Sequence, residues 1–396
     1  MDFNPVLCMA IANHIKSSPQ QRITFAEYME LALYHPEHGY YSNEAVKKIG
    51  FRGGDFFTSS SLGADFGELL AVQFLQMWEN LGKPNSFSLI EMGAGQGLLA
   101  SHILHYSKLH HPDFFAALNY IIVEKSPGLR EEQQKHLQNL PVHWCNLEDI
   151  LPNSITGCFF SNELVDALPV HQFTLEAGEL REIYVTIQEE TENNNSDLPT
   201  FIEVIAEPST PKLAEYFQLV GIDLSQNAYL DGYRSEINLA ALDWLSIVAD
   251  CLQSGYVLTI DYGYPATRYY NPRRSQGTIQ CYYQHHHHNN PYINIGQQDI
   301  TAHVDFTALE NWGKRCHLNR VGWIQQGLFL MALGLGERLA AISYQQQPIS
   351  ELLKRREALH QLIDPTGLGG FGVLVQSKGL TETQALQPLK GLAVPD

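Results

Sequence analysis

The chain of 396 residues is 44% hydrophobic and carries 43 acidic against 25 basic residues, a formal net charge of −18. That apolar content supports a core larger than one minimal α/β domain needs, with an appended cap, while the acidic excess argues against nucleic acid and for a cationic partner. Cys8, Cys145, Cys158, Cys251, Cys281 and Cys316 are widely spaced with no Cys-x-x-Cys pair, which indicates free thiols in a reducing cytoplasm rather than a disulfide frame or a zinc site.

Residues 1–17 hold one lysine, no arginine and no long apolar run, a composition that disfavours a secretory or transit signal. No apolar stretch is long enough to span a bilayer, so a cytoplasmic protein with no membrane partner is expected. Residues 5–17 read as an amphipathic helix and residues 23–33 as a second one capped by Thr24, followed by a turn at residues 35–41. The Gly-rich loop from Gly53 leads into a helix that continues to about Leu81; its Asp55, Thr58 and Ser59 are hydrogen-bonding groups able to fold over a ligand.

The most informative stretch is Ser86-Phe-Ser-Leu-Ile-Glu-Met-Gly-Ala-Gly-Gln-Gly-Leu98. Residues 87–90 read as a buried strand and residues 98–104 as the start of a helix, which puts Gly93, Gly95 and Gly97 in a tight strand-to-helix turn. Such a turn lets a ligand approach the backbone, and the free N–H groups of the helix start can receive an anion. A dinucleotide fingerprint needs its third glycine where Leu98 stands, and no P-loop Lys-Ser or Lys-Thr pair is present. The pattern Glu91-x-Gly93-x-Gly95-x-Gly97 instead resembles motif I of the class I S-adenosylmethionine-dependent methyltransferases, where the acid approaches the cationic amino-acid end of the cofactor.

Residues 119–124 form a second buried strand ending in Glu124, an acid placed to accept both ribose hydroxyls of a nucleoside. Residues 141–145 read as the third strand, with Asn146, Leu147 and Glu148 in the turn beside an adenine ring. The fourth strand ends at Ser161, and Asn162, Glu163, Asp166 and His171 crowd the turn after it, at the carboxyl edge where open α/β sheets bind ligands. Buried carboxylates there are either solvated or await a cation.

From residue 173 to 208 the pattern changes to antiparallel strands at 171–175, 179–188 and 200–207, with a polar tract at 189–197 that reads as mobile. Residues 234–253 read as helical and lead to the fifth strand at 255–261; residues 264–304 lack periodicity and read as an ordered cap loop. The histidine run at 285–288 has no flanking acid or cysteine, so no metal site is expected. His303 with Asp299 and Asp305 fits a capping and substrate-groove role, before a helix through Arg315. Residues 318–326 and 371–377 are the last two core strands, with helices at 328–339 and 349–362 between them.

These readings divide the chain into an N-terminal helical cap (1–50), the first half of the core (51–172), an antiparallel β and helical insertion (173–233), and core strand five (234–263). A cap loop (264–304), core strand six (305–326), a helical insertion (327–366) and the last core strand with the tail (367–396) complete it.

With these residues read, the chain resembles the MidA family of class I methyltransferases over nearly its full length. The strings that carry the likeness are Tyr28-Met29, His35-Pro-Glu-His-Gly-Tyr-Tyr41, Gly54-Asp-Phe56, Phe66-Gly-Glu68, the glycine turn, Asn162-Glu-Leu-x-Asp-Ala-Leu-Pro169, His171-Gln-Phe173, Asp261-Tyr-Gly263 and Asp299-Ile-Thr-Ala-His-Val-Asp305. One departure stands out: the family has Thr-[Ala/Ser]-Pro-Glu after Gly-Asp-Phe, whereas Thr58 here precedes Ser59-Ser60-Ser61.

The resemblance implies a Rossmann-like, seven-stranded, mostly parallel sheet with a reversed last strand and a helical and β cap. It implies S-adenosyl-L-methionine as cofactor, with contacts from Gly93, Gly95, Glu124, Asp55 and Thr58. Mitochondrial family members act in respiratory complex I assembly as protein arginine methyltransferases, so the expected substrate is an arginine of a protein such as a respiratory NADH dehydrogenase subunit. Glu163 and Asp166 would then hold the guanidinium, which is charged at any physiological pH, and His171 or Asp166 would take the released proton. The competing readings are a small-molecule methyltransferase and a cofactor-binding assembly factor without turnover; a homodimer is compatible with all three.

Overall fold

The computed structural model of the protein describes residues 4–42, 58–189, 198–226, 228–342, 344 and 348–393. The chain forms two compact units, one of Met1–Phe56, Val165–Asp243 and Tyr264–Asn311, the other of Phe57–Leu164, Trp244–Gly263 and Trp312–Asp396.

The second unit is built on strands β1 (Phe87–Met92), β2 (Leu118–Val123), β3 (Val142–Cys145), β4 (Ile155–Asn162), β5 (Leu252–Asp261), β6 (Asn319–Gln325) and β7 (Gly372–Lys378). They lie in the order β3-β2-β1-β4-β5-β7-β6. Strand β7 runs antiparallel to β5 and β6, and the remaining neighbours are parallel. The expected α/β class is therefore present, as a mixed sheet.

All six residues of β1 are buried, as a strand covered on both faces requires. Helix α1 (Ala64–Asn80) buries Phe66, Leu70 and Phe74 in that core, and the Phe74 and Phe160 rings lie 4.9 Å apart. Helices α2 (Leu98–His110) and α3 (Pro127–His136) follow β1 and β2. The chain winds from β1 first towards β2 and β3, then returns to β4 on the other side of β1. The carboxyl ends of β1 and β4 thus flank a topological switch point, where ligands bind in sheets of this kind.

After β6 come α4 (Gln326–Leu333), α5 (Leu335–Ile342) and α6 (Ile349–Ile363). The single helix expected over 328–339 is broken at Gly334, which is left-handed at φ 111° and ends α4. Asp65 of α1 binds this insertion through Arg338 of α5 and Arg355 of α6.

The first unit holds a five-stranded antiparallel sheet of Arg22–Thr24, His171–Glu176, Glu179–Ile187, Phe201–Ala206 and Arg234–Ile237. The helix Pro5–Ser17 forms as expected. The next helix, Phe25–Tyr34, starts after Thr24, whose hydroxyl accepts from Glu27 N at 3.1 Å while Glu27 accepts from Thr24 N at 2.8 Å.

Two expectations fail in this region. Residues 234–237 pair as a strand with His171–Thr174, so the helix begins only at Leu239. Residues 264–304 are not a plain loop: they contain a short helix, Ala266–Tyr269, and a three-stranded sheet of Gln280–Tyr283, His286–His288 and Asp299–Thr301. Most of the polar tract, residues 190–197, lies outside the described residues.

Candidate functional site

The turn after β1 has Gly93 at φ 71°, Gly95 at 52° and Gly97 at 77°, a region that side chains with a Cβ rarely adopt. Gly93 N donates to Val123 O at 3.1 Å and Gly97 N to Ala94 O at 2.8 Å, which ties the turn to β2 and closes it into α2. A Cβ added at Gly95 would meet nothing within 4 Å, so that face of the turn is open to an approaching ligand.

Glu91 precedes the turn, 4% exposed, and accepts from Tyr120 Oη at 2.7 Å. Burial pushes its carboxyl up to about 7 against the Tyr120 hydrogen bond, and Glu124 adds to the rise. Glu124, just beyond β2, accepts from Ser126 N at 2.9 Å and from Gln133 Nε2 at 3.0 Å. Burial raises its pKa as well, opposed by those donors and by the Arg130 charge.

The turn after β3 is held by Asp149. Asn146 donates from its backbone N and its Nδ2 to Asp149 Oδ2, at 3.1 and 2.9 Å, and its own Oδ1 accepts from Arg130 Nη2 at 3.1 Å. Leu147 is buried beside it. Arg130 Nη2 also donates to the carbonyls of Glu124 and Cys145, joining the ends of β2 and β3.

At the end of β4, Asn162 Nδ2 donates to Glu163 Oε1 at 3.0 Å, while Asn162 Oδ1 is buried without a hydrogen-bond donor among the described residues. Glu163 has φ 54°, a strained setting for a residue with a Cβ, and its Oε1 also accepts from Ser59 N at 3.2 Å. This carboxylate is thus engaged by the chain's own donors. Asp166 and His171 fall in the other unit. Asp166 is buried and its carbonyl accepts from Ala302 N at 2.9 Å; His171 Nδ1 lies 2.7 Å from Glu182 Oε1. Burial would raise the Glu182 carboxyl, yet His171 and Ser209 hold it below the usual range.

Asp55 lies outside the described residues. Thr58 is buried and caps a short 3-10 turn, Ser59–Leu62. Ser61 occupies the place of the family's acid, and its Oγ accepts from Thr58 N at 3.3 Å. A serine therefore does here the capping that a glutamate at the same offset does in a capping box. Tyr120, Gln133, Arg130 and Asp149 were missed from the sequence; the Asn146-x-x-Asp149 spacing was the one available signal, that of a cap.

A profile of S-adenosyl-L-methionine-dependent methyltransferases matches residues 69–324. The chain is similar to the mitochondrial protein arginine methyltransferase NDUFAF7 of Mus musculus, 30% identical over 349 residues that span 81% of this chain and 72% of that protein. It is also similar to the mitochondrial NDUFAF7 homolog of Drosophila melanogaster, 27% identical over 88% of this chain and 79% of that one. Among solved structures, a Burkholderia thailandensis protein bound to S-adenosyl-homocysteine is 31% identical, covers 98% of this chain and 94% of its own, and has a TM-score of 0.82.

The cytoplasmic expectation is overturned by these relatives, which are named mitochondrial. The spacing of the cysteines does not single out one compartment. The cofactor is S-adenosyl-L-methionine, and the residues present fit it: the open face at Gly95 admits a ligand to the backbone, and the buried carboxyls of Glu91 and Glu124 at the ends of β1 and β2 suit a positively charged one. The chain belongs to this family of S-adenosyl-L-methionine-dependent methyltransferases.

Proposed function

We propose that the enzyme methylates an arginine of a protein substrate, and that its seven strands follow the class I methyltransferase arrangement. The likeness to enzymes named protein arginine methyltransferases, over 81–92% of the chain, carries this reading. The acidic charge of −18 agrees with a basic substrate surface.

When bound, the cofactor supplies an electrophilic sulfonium methyl, so the protein's share is orientation and exclusion of water. Gly93, Gly95, Gly97 and Glu91 receive the amino-acid end, Glu124 the ribose, and Asn146 and Leu147 the adenine, with Thr58 a further contact. A guanidinium stays charged at physiological pH, so no side chain deprotonates it before attack. Glu163 offers it a charge-assisted hydrogen bond, and Asn162 Oδ1 accepts from a second N–H. Asp166 and His171 keep separate assignments as a substrate acid and a proton acceptor; with Nδ1 facing Glu182, His171 has Nε2 for that task.

The test follows transfer of labelled methyl to basic respiratory subunits and other extract proteins, with S-adenosylhomocysteine affinity measured in parallel. Glu163→Ala and Asp166→Ala are expected to lose transfer by roughly a hundredfold while retaining affinity. Undiminished transfer sinks these assignments. Cofactor affinity in the wild type with no labelled protein would favour an assembly factor without turnover.

A further inference from the structure

Helix α3 has the sequence Pro-Gly-Leu-Arg-Glu-Glu-Gln-Gln-Lys-His and buries one side chain, Gln133, which is 0% exposed. A carboxamide is costly to bury unless each polar atom is paired. Here all are. Gln133 Nε2 donates to Gly95 O at 2.8 Å and to Glu124 Oε2 at 3.0 Å, and Oε1 accepts from Trp144 Nε1 at 2.9 Å. The three partners belong to the glycine turn, the end of β2 and strand β3. The stem closes on the turn too, since Gln133 Cγ is 3.5 Å from where a Cβ on Gly97 would stand.

No other side chain fills this place. A carboxylate has no proton for Gly95 O and meets Glu124 as a like charge, an ammonium cannot accept from the indole, and an apolar chain takes the partner from Gly95 O, Trp144 Nε1 and the buried Glu124 carboxylate. Each bond also sets a direction. With Ser126 N on one oxygen of Glu124 and Gln133 on the other, the plane of that carboxylate is fixed. Trp144 is fixed beside the Asn146–Leu147 turn, and the Gly95 peptide is held in its left-handed setting.

We propose that Gln133 is a positioning residue for the nucleoside half of the cofactor cradle, setting the glycine turn, the Glu124 carboxylate and the β3 end in one geometry. This rests on the reading of Gly95 and Glu124 as cofactor residues.

The test uses the full chain and calorimetric titration with S-adenosylhomocysteine at pH 8 and pH 6, with thermal melting of each variant. Gln133→Met keeps the volume and loses every hydrogen bond; its dissociation constant should rise about tenfold or more. Gln133→Glu should bind at least as weakly at pH 8. At pH 6 it should recover several-fold relative to wild type at the same pH, because a like-charged neighbour raises the acid's pKa and the protonated group regains one donor. A merely structural role moves the melting temperature but leaves the ratio of Gln133→Glu to wild type the same at both pH values, and that result would overturn the proposal. So would affinities within about twofold of wild type for both variants, given the tenfold expected from lost hydrogen bonds, while Glu124→Ala loses binding. If Glu124→Ala binds as wild type does, the cofactor-site reading fails and this inference with it.

Discussion

Glu91 is a carboxyl group with 4% exposure and a hydrogen bond from Tyr120, set two residues before Gly93, where the glycine turn starts. Burial lifts it from its ordinary 4.5 to about 7. An acid whose folded pKa is raised favours the protonated fold, so its contribution is complete below pH 4.5 and is lost as pH rises through 7. In the cofactor-free protein, unfolding free energy should fall over that window, and Glu91→Gln should flatten the fall by at most roughly 3 kcal/mol. Denaturant unfolding at pH 5 and pH 8 measures this; an identical pH dependence in the variant would refute it. At this scale the glycine turn was legible, because a backbone that needs positive φ writes its demand as glycine. Gln133 was not: a glutamine among Arg, Glu and Lys reads as one more surface residue, and only the approach of the turn and of Trp144 buries it.

Strands β1, β4 and β5 show how closely elements constrain one another. Ser88, Gly157 and Gly255 stand side by side in register across them. A Cβ on Gly157 would lie 2.0 Å from Ser88 O, and one on Gly255 would lie 1.9 Å from Gly157 O. Backbone cannot yield as a flexible side chain does. Gly157→Ala should therefore cost more than about 4 kcal/mol, whereas Gly178→Ala, with no atom within 4 Å and only a positive φ to accommodate, should cost about 1 kcal/mol. Chemical denaturation of the two variants compares them, and equal costs would contradict the seam. The core strands were readable because buried parallel strands are continuous apolar runs. The sheet within 264–304 was not, because its strands are three or four residues long and gain their identity from partners rather than from periodicity.

Across the whole of the second unit, Asp65 joins segments far apart in sequence. It accepts from Arg338 Nη1 at 2.8 Å and from Arg355 Nε and Nη2 at 2.8 and 2.7 Å, across separations of 273 and 290 residues. Arg338 also pairs with Glu68. Burial would raise the Asp65 carboxyl, but the two guanidiniums hold it below its ordinary value. That stability is present above the unfolded pKa and lost as pH falls through the folded one. Asp65→Asn should cost roughly 3 kcal/mol at neutral pH by leaving partly buried arginines underpaired, and should blunt acid unfolding of the unit; an unchanged acid midpoint would contradict this.

What the sequence by itself determined is the α/β class, the strand-turn-helix at residues 87–104 and the cofactor that this turn implies, because apolar periodicity and left-handed backbone are local demands. Tertiary structure alone decided that Gln133 joins three elements, that Asp65 braces the helices after β6, and that Glu163 accepts from Ser59 and Asn162 while Asp166 and His171 fall in another unit. A polar side chain carries no local sign of its partner: which donors meet which acceptors is fixed only when segments hundreds of residues apart are packed and water is gone.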